Sequence, residues 1–466
     1  MTLEAWEILT HASEVYLRTT RHPAVGGLPA GLTVHSFDAL YEQAEDFADV
    51  YREVTERVLD LGRRPEGVIY CVPGHPLVGE STITDLLERA EVEGLPVRIV
   101  AGVSFIEPTL TAMRVDPIAG LQLVDAIDVA LRLHPPLNPD VPALLAQLYD
   151  RDLASDVKLT LMNQYPNEHQ VTLVHGAGTE EEWIETVALH ALDHSRRIGH
   201  LTSVYVPALP RTSGLESFQE TIARLRAPDG CPWDREQTHQ SLRSGLLEET
   251  AEVLDALDAD DMDALCEELG DLLLHVVMQG QIATEEGDFT TADVIAGIES
   301  KIRRRHPHVF GDVHVSSTDD VLVNWDQIKK TEQGPGNATS ALDKVPVALP
   351  ALARAWALTE KAVQMGANQP GFEHIVAQVR LEMEGLLEAT EPGVRSLRVG
   401  DLLFAVVNWA RWLDVDPEIA LRNACQRFID RLRALEEIAA ENGCPVGALS
   451  SLQRGTLWQS SQSEPG

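Results

Sequence analysis

Short apolar runs alternate with longer amphipathic stretches over residues 1–207. The apolar runs are rich in β-branched residues and predict strands at Gly67–Val72, Val97–Val103, Gln170–His175 and Thr202–Val206. Helical periodicity lies between them, for example over Ser36–Leu61. Strands that alternate with helices are typical of an α/β domain with a mostly parallel sheet, so we predict such a domain over residues 1–208.

The pattern becomes helical after about Pro210. Amphipathic periodicity covers 215–331 and returns over 345–443, and between the two lies GPGNATS (Gly334–Ser340), which has the composition of a flexible linker. The last residues are polar and predict a disordered tail. We therefore predict a helical domain over 214–333, a second helical domain over 344–446 and a tail over 447–466.

The two helical domains contain an internal repeat. ELGDLLLHVV at Glu268–Val277 matches RVGDLLFAVV at Arg398–Val407, and an acidic helix precedes each segment. A basic segment follows each of them, SKIRRR at Ser300–Arg305 and CQRFIDR at Cys425–Arg431. Such self-similarity indicates two copies of one helical unit. The predicted fold class is therefore multidomain, an α/β domain followed by two all-α units.

The first copy contains an acidic helical hairpin at Leu246–Met278. An apolar stripe with helical spacing predicts the first helix, DADD predicts the turn, and Glu268 and Asp271 lie one turn apart on the second helix. In an antiparallel hairpin the numbers of facing residues have a constant sum. Glu249 should therefore face Asp271 and Glu252 should face Glu268, which places four carboxylates at two adjacent levels.

Four carboxylates so close together need a countercharge. Oxygen-only ligands suit Mg²⁺ or Mn²⁺, and Mg²⁺ also binds substrate phosphates. The alternative is a solvated acidic face, which is the usual fate of helical Glu and Asp, and the spacing alone leaves both interpretations open. A di-iron bundle would need Glu-x-x-His motifs on partner helices, and this segment has none.

Composition narrows the classes of function. The 466 residues include 37 Lys and Arg against 73 Asp and Glu, a formal net charge of −36. Such a surface repels nucleic-acid phosphates, so no nucleic-acid partner is expected. Five widely spaced cysteines without a CxxC pair favour a reducing compartment. No long apolar run or signal-peptide pattern occurs, so we predict a cytoplasmic protein without a membrane partner.

The acidic hairpin and its flanks resemble the MazG nucleotide pyrophosphohydrolase family. The family pattern EExxE followed by ExxD is matched by Glu248, Glu249, Glu252, Glu268 and Asp271. The flanks match at CPWDREQTHQSL (Cys231–Leu242), KIRRRHPHVFGDV (Lys301–Val313) and NWDQIKKTE (Asn324–Glu332). The resemblance implies an all-α fold, usually a homodimer, that hydrolyses a nucleoside triphosphate to the monophosphate and pyrophosphate. It implies that the last four of those carboxylates hold Mg²⁺ or Mn²⁺, with Glu248 beside them in the catalytic set.

The same resemblance implies roles for residues after the hairpin. Lys301, Arg304 and Arg305 would bind phosphate oxygens and stabilise the leaving pyrophosphate. Trp325 would stack on the base or ribose, and Lys329 would add a phosphate contact. The alternatives are a basic triplet that pairs with surface carboxylates and a Trp325 that belongs to the core.

The second copy departs from the family pattern. Its hairpin reads LEMEG at Leu381–Gly385 and then RVGD. The facing rule keeps Glu382 opposite Asp401 but places Gly385 opposite Arg398, so both carboxylates of the other level are replaced together. A guanidinium there would repel a cation. We predict that the second copy is catalytically inactive and serves packing or dimerisation.

Residues 1 to about 207 resemble the tetrapyrrole (corrin/porphyrin) methylase family, in the form fused to MazG domains. The matching stretches are VPGHPLVGEST (Val72–Thr82), AGVSFIEP (Ala101–Pro108), DVKLTLM (Asp156–Met162) and LTSVYVP (Leu201–Pro207). That family binds S-adenosylmethionine between two α/β lobes, and its first strand ends in a GxGPG loop. This sequence lacks the loop, which argues against S-adenosylmethionine as a cofactor. Either the strand lies upstream of the present start, or the domain has lost its methyl-donor site.

The sequence predicts a Mg²⁺-dependent nucleoside triphosphate pyrophosphohydrolase. By family analogy its role is to remove unwanted nucleotides from the pool. Two other functions remain open, an S-adenosylmethionine-dependent methyltransferase with accessory helical domains and a non-catalytic nucleotide-sensing scaffold. Binding of S-adenosylmethionine would favour the first, and nucleotide binding without hydrolysis would favour the second.

Overall fold

The computed structural model describes residues 1–43, 47–332, 340–366, 371–441, 443 and 445–446. The chain divides into two compact units, Met1–Ile298 and Glu299–Gly466, which we describe one at a time. The predicted linker, apart from Ser340, and the predicted tail lie outside the described residues. Within those ranges, no helix is both long enough and apolar enough to cross a lipid bilayer.

The first unit begins with a small parallel sheet and its covering helices. The strands are β1 (Glu14–Leu17), β2 (Thr33–Ser36) and β3 (Tyr70–Cys71), in the order β2-β1-β3. The helices are α1 (Leu3–His11), α2 (Asp38–Gln43), α3 (Phe47–Gly62), α4 (Ser81–Glu93) and α5 (Ile106–Met113). Val54 and Val58 of α3 are buried in one cluster with Ile83 and Ala90 of α4, so the apolar faces of these helices form the core beside the sheet.

A five-stranded mixed sheet follows in the same unit. Its strands are β4 (Gln122–Asp125), β5 (Ala143–Ala146), β6 (Gln170–His175), β7 (Trp183–Ala188) and β8 (Thr202–Val206), in the order β4-β5-β8-β6-β7. The accompanying helices are α6 (Ala126–Ala130) and α7 (Arg151–Leu161). Leu145, Leu173 and Val204 of the sheet are fully buried with Val157 and Leu161 of α7, which explains why their strands are almost continuously apolar.

Two details of the predicted α/β domain need correction. Val97–Val103 forms no strand, since no described strand pairs with it, and Val97, Ile99 and Val103 are 47%, 39% and 48% exposed. The second sheet is mostly antiparallel, with only β4 and β5 parallel, because β6 and β7 are joined by a hairpin connection that requires the antiparallel arrangement. The helix predicted over Ser36–Leu61 is present as α2 and α3.

The rest of the chain is helical, as predicted. The first unit continues with α8 (Leu215–Arg226), α9 (Pro232–Arg235), α10 (Arg243–Asp258) and α11 (Met262–Glu286). The boundary between the units lies within α12 (Thr291–Arg305). The second unit continues with α13 (Pro307–Phe310), α14 (Thr318–Thr331), α15 (Ala351–Gln364), α16 (Phe372–Glu388), α17 (Pro392–Trp412) and α18 (Pro417–Glu441). Helix α10 packs along α11, and α16 packs along α17, so each unit contains one long helical hairpin.

Candidate functional site

The turn of the first hairpin lies where the sequence predicts it. Asp260 has a left-handed backbone with φ of 53°, a conformation that Asp and Asn tolerate better than most residues. The carboxylate of Asp261 then caps α11 by accepting hydrogen bonds from the backbone N–H groups of Asp263 and Ala264. The DADD segment therefore ends one helix and starts the next.

The facing register of the hairpin can be read at Gly245. A Cβ atom added there would lie 2.8 Å from Cε1 and 2.9 Å from Nε2 of His275, so the imidazole ring lies directly across from this glycine. The number sum of this pair equals that of Glu249 with Asp271. Glu249 therefore belongs to the same facing series, one helical turn closer to the hairpin turn.

Three of the predicted metal ligands converge. Glu249, Glu252 and Glu268 each offer one carboxylate oxygen, and these oxygens lie within 4.8 Å of one another. Oxygen ligands lie at about 2.0–2.6 Å from Mg²⁺ or Ca²⁺ and therefore at most about 4–5 Å from one another, so this group has the dimensions of a site for a single divalent cation. Asp271 lies outside the group of three, and Glu248 is exposed and lies outside it too.

Burial and mutual repulsion raise the pKa values of two carboxyls in this cluster. Partial burial raises the pKa of Glu249, and a hydrogen bond with Glu252 and the charges of Glu252, Asp271 and Glu268 raise it further. Burial and the charges of Glu252, Glu267 and Asp271 raise the pKa of Glu268 as well. The effect of Asp271 on both groups places it close to the cluster. A cation at this point would relieve the repulsion that raises these pKa values.

The predicted phosphate-binding residues belong to the second unit. Arg304 Nε lies 2.8 Å from Glu332 Oε1, and Arg305 Nη2 lies 2.6 Å from Glu332 Oε2. The guanidinium of Arg305 also lies over the ring of Trp325, 5.5 Å from its centroid. Lys301 is exposed. Arg305 thus contacts both Trp325 and Glu332, and the carboxylate of Glu332 is the common partner of Arg304 and Arg305.

Lys329 lies in α14, and the position of its side chain is outside the described part of the structure. The hydrogen bonds from Arg305 and then from Arg304 lower the pKa of Glu332 to about 2. Glu332 is therefore ionised at neutral pH. Arg304 and Arg305 therefore pair with a carboxylate of the chain, which is the alternative given above for the basic triplet.

The second hairpin places a guanidinium where the first has carboxylates. A Cβ atom added at Gly385 would lie 3.2 Å from Cζ of Arg398, so these two residues face each other as predicted. Arg398 Nη1 donates a hydrogen bond of 3.1 Å to Oε2 of Glu382, which is only 8% exposed and also accepts one of 2.6 Å from Gln378 Nε2. Among the described residues, only the first hairpin brings three metal-ligating groups together.

Two residues that the sequence did not single out contact predicted site residues, one in each unit. His275 Nε2 lies 3.9 Å from Oε1 of Glu249, and its Nδ1 is buried without a hydrogen-bond partner in the described structure. His275 lies four residues after Asp271, and residues four apart share a helix face, so this spacing could have predicted its place beside the carboxylates. Glu332 ends the matched segment NWDQIKKTE, but nothing in its spacing predicts that it pairs with α12.

Comparisons with known proteins cover most of the chain. The sequence model of the tetrapyrrole (corrin/porphyrin) methylases matches residues 1–193, and that of the MazG nucleotide pyrophosphohydrolase domain matches residues 237–310. YabN, an uncharacterized protein of Bacillus subtilis, is 40% identical over 98% of this chain and 94% of its own length. The nucleoside triphosphate pyrophosphohydrolase/pyrophosphatase MazG of Thermotoga maritima is 39% identical over 52% of this chain and 94% of its own. The nucleoside triphosphate pyrophosphohydrolase of Escherichia coli is 41% identical over 51% and 93%.

The fold and the site together define a protein with an α/β methylase-like domain followed by a helical region that carries converging carboxylates. The matches to the helical region identify its family. The chain belongs to the MazG nucleotide pyrophosphohydrolase family, and its N-terminal domain is of the tetrapyrrole methylase type. Both resemblances found in the sequence are confirmed, and so is the prediction that the chain is a hydrolase enzyme.

Proposed function

We propose that the chain hydrolyses nucleoside triphosphates to the monophosphate and pyrophosphate at its first helical hairpin. The observation that carries the proposal is the convergence of Glu249, Glu252 and Glu268 to within 4.8 Å, with Asp271 close enough to raise the pKa of two of them. The relatives named as nucleoside triphosphate pyrophosphohydrolases support the choice of substrate class. A role in clearing unwanted nucleotides from the pool rests on this family analogy alone.

The carboxylates have the chemistry of a magnesium site. Glu249, Glu252, Glu268 and Asp271 offer oxygen ligands only, which suits Mg²⁺, with Mn²⁺ as a substitute. When bound, the ion supplies the positive charge that neutralises the triphosphate and polarises the attacked phosphorus. The exposed carboxylate of Glu248 lies on the same helix and is the free group that can orient or deprotonate the attacking water.

The basic residues complete the proposed reaction. Arg304 and Arg305 bind phosphate oxygens through charge-assisted hydrogen bonds and stabilise the charge that develops on pyrophosphate when the α–β phosphoanhydride bond breaks. Lys301 and Lys329 add phosphate contacts, and Trp325 stacks on the base or ribose. The second hairpin takes no part in the chemistry because Arg398 occupies the level of the missing carboxylates. We further propose that the chain acts as a homodimer, as the resemblance implies.

Pyrophosphate release from a panel of standard and modified nucleoside triphosphates tests this function. We expect release by the full chain with Mg²⁺, none after chelation, and a loss of about hundredfold or more in Glu252→Gln. Glu382→Gln is the control, because it changes the glutamate that the second hairpin keeps at the level of Glu249 and should leave the rate unchanged. Nucleotide binding without any release would replace the hydrolase with a nucleotide-sensing scaffold. Full release by Glu252→Gln plus Glu268→Gln would move the activity away from the first hairpin.

A further inference from the structure

One carboxylate joins the ends of two helices in the second unit. Glu332 directly follows α14, whereas Arg304 and Arg305 are the last residues of α12. The Glu332 side chain is 19% exposed and holds both arginines at once, with Oε1 accepting from Nε of Arg304 and of Arg305 and Oε2 accepting from Nη2 of Arg305. An isolated exposed ion pair contributes little, whereas a carboxylate that two adjacent arginines share forms a small network of charges.

The atoms that Glu332 uses leave the outer nitrogens of the arginines available. Arg304 is held through Nε alone, and within the described structure its Nη1 and Nη2 make no hydrogen bond. Nη1 of Arg305 is similarly unused by Glu332. A guanidinium has five N–H donors in a fixed plane, so fixing one edge also fixes the direction of the others. Glu332 therefore fixes the direction of both guanidinium groups and leaves these outer nitrogens available to a ligand.

One further contact restricts Arg305. Its guanidinium lies over Trp325, about two helical turns before Glu332, and its side chain is only 15% exposed. The Arg304 side chain is 53% exposed, and Glu332 is its only ionic partner in the described structure. Without the carboxylate, two adjacent positive charges would repel each other and would regain rotamer freedom.

We propose that Glu332 is a positioning residue for the phosphate-binding arginines. Its carboxylate preorders Arg304 and Arg305 so that their free nitrogens meet the phosphates of the nucleotide, which lowers the entropy lost on binding. This inference rests on the proposed function, because it takes the two arginines as phosphate ligands. It predicts that removing the charge of Glu332 weakens nucleotide binding, although a negative charge beside a triphosphate would by itself oppose binding.

Equilibrium binding of an α,β-imido nucleoside triphosphate tests the proposal, since its bridging nitrogen resists cleavage at the α–β position. The full chain, Glu332→Gln and Glu332→Asp are titrated with this analogue and Mg²⁺ in a calorimeter. We expect the Kd to rise about tenfold in Glu332→Gln, the scale of ordering two long side chains, and to be largely restored in Glu332→Asp. Glu299→Gln is the matched control, because Glu299 pairs with the neighbouring Arg303 on the same helix surface.

A double variant separates positioning from a general loss of structure. If Glu332 acts through Arg304, then Glu332→Gln should weaken binding much less in an Arg304→Ala background than in the original chain. An equal or lower Kd in Glu332→Gln would overturn the proposal, and a lower one would identify Glu332 as a competitor of phosphate. A wild-type chain that neither binds the analogue nor releases pyrophosphate would instead refute the proposed function.

Discussion

The two helical hairpins share one plan and balance its charge in different ways. In both, a glycine on the first helix makes room for a nitrogen-bearing side chain from the second, Gly245 for His275 and Gly385 for Arg398. In the first hairpin the levels nearer the turn hold converging carboxylates. In the second, the guanidinium itself lies at one of those levels and is hydrogen-bonded to Glu382.

This difference shows that the second hairpin has its countercharge built in. Glu382 is buried, and its charge is met by Arg398 and by the amide of Gln378. The carboxylates of the first hairpin have each other as neighbours, and burial together with the neighbouring negative charges raises the pKa of Glu249 and of Glu268. The first hairpin therefore gains from an added cation, whereas a cation at the second would meet a positive charge.

Gly385 and Arg398 of the second hairpin fit each other sterically. Arg398 needs the space that Gly385 provides, because a Cβ at position 385 would come within 3.5 Å of Cζ, Nε and Nη1 of the guanidinium. The arginine at 398 and the glycine at 385 therefore depend on each other, and the second hairpin has an arrangement that needs no cation.

The largest expected effect comes from rebuilding the second hairpin. Gly385→Glu with Arg398→Glu replaces a positive charge by two carboxylates at the level next to Glu382 and Asp401. In a Glu252→Gln background, which weakens the first site, we expect the new set to bind Mn²⁺ at least about hundredfold more tightly than the background alone, since ligand charge sets affinity for such ions. Electron paramagnetic resonance of free Mn²⁺ measures this directly.

The control for rebuilding is Gly385→Ala with Arg398→Ala. This variant removes the guanidinium and adds no carboxylate, so any Mn²⁺ binding it gains reports the loss of repulsion alone. If the rebuilt hairpin binds no more Mn²⁺ than this control, then carboxylate number does not explain the difference between the two hairpins.

A smaller effect is expected when Arg398 alone is removed. Arg398→Met leaves Glu382 buried with one hydrogen bond fewer and no countercharge, and we expect the free energy of unfolding to fall by about 1–2 kcal/mol. The expected loss is small because the Arg398 side chain is 42% exposed and water reaches it. Urea denaturation followed by tryptophan fluorescence measures the change.

Two further variants sharpen that measurement. Arg433→Met removes an exposed arginine that pairs with Asp430 on one helix, and we expect it to cost less than about 0.5 kcal/mol. Adding Glu382→Gln to Arg398→Met should recover part of the lost stability, since the amide needs no countercharge. Equal losses for Arg398→Met and Arg433→Met would mean that the Glu382 pair does not hold the second hairpin together.

The sequence pattern predicted the elements whose apolar residues are also buried in the fold. The bounds of β6 and β8 agree with the predicted runs because both strands are paired on both sides within one sheet and buried on the face toward α7. The hairpin register followed from helix geometry, and Gly385 faces Arg398 accordingly. A run such as Val97–Val103 has the same composition but finds no described partner strand, and composition cannot supply one.

Contacts between distant segments were the part that the sequence could not specify. Glu332 and Arg304 are 28 residues apart on different helices, and no periodicity relates them. His275 was visible in the sequence, but its proximity to Glu249 depends on the ring's rotamer and on the missing side chain at Gly245. The strand order of the second sheet likewise depends on how β8 inserts between β5 and β6, which is decided by tertiary packing.

The smallest expected effect is the pH dependence of the first hairpin. The pKa values of Glu249 and Glu268 are raised above their ordinary value of 4.5 in the folded chain. The folded state therefore favours the protonated carboxyls, so their contribution to stability is fully present below pH 4.5 and is lost as the pH rises through the raised values. Without divalent cations, we expect Glu252→Gln to become progressively more stable relative to the original chain over this rise, because it removes one of the repelling charges.

Thermal unfolding between pH 4.5 and 8, with and without Mg²⁺, measures this difference. Mg²⁺ should reduce it or reverse its sign, since the ion neutralises the repulsion that Glu252→Gln relieves and binds less well to the variant. Glu299→Gln, which changes an exposed glutamate of an ordinary i,i+4 pair, should show no growing advantage over the same range. A Glu252→Gln advantage that stays constant with pH and with Mg²⁺ would mean that the first hairpin, like the second, already has its charge balanced within the chain.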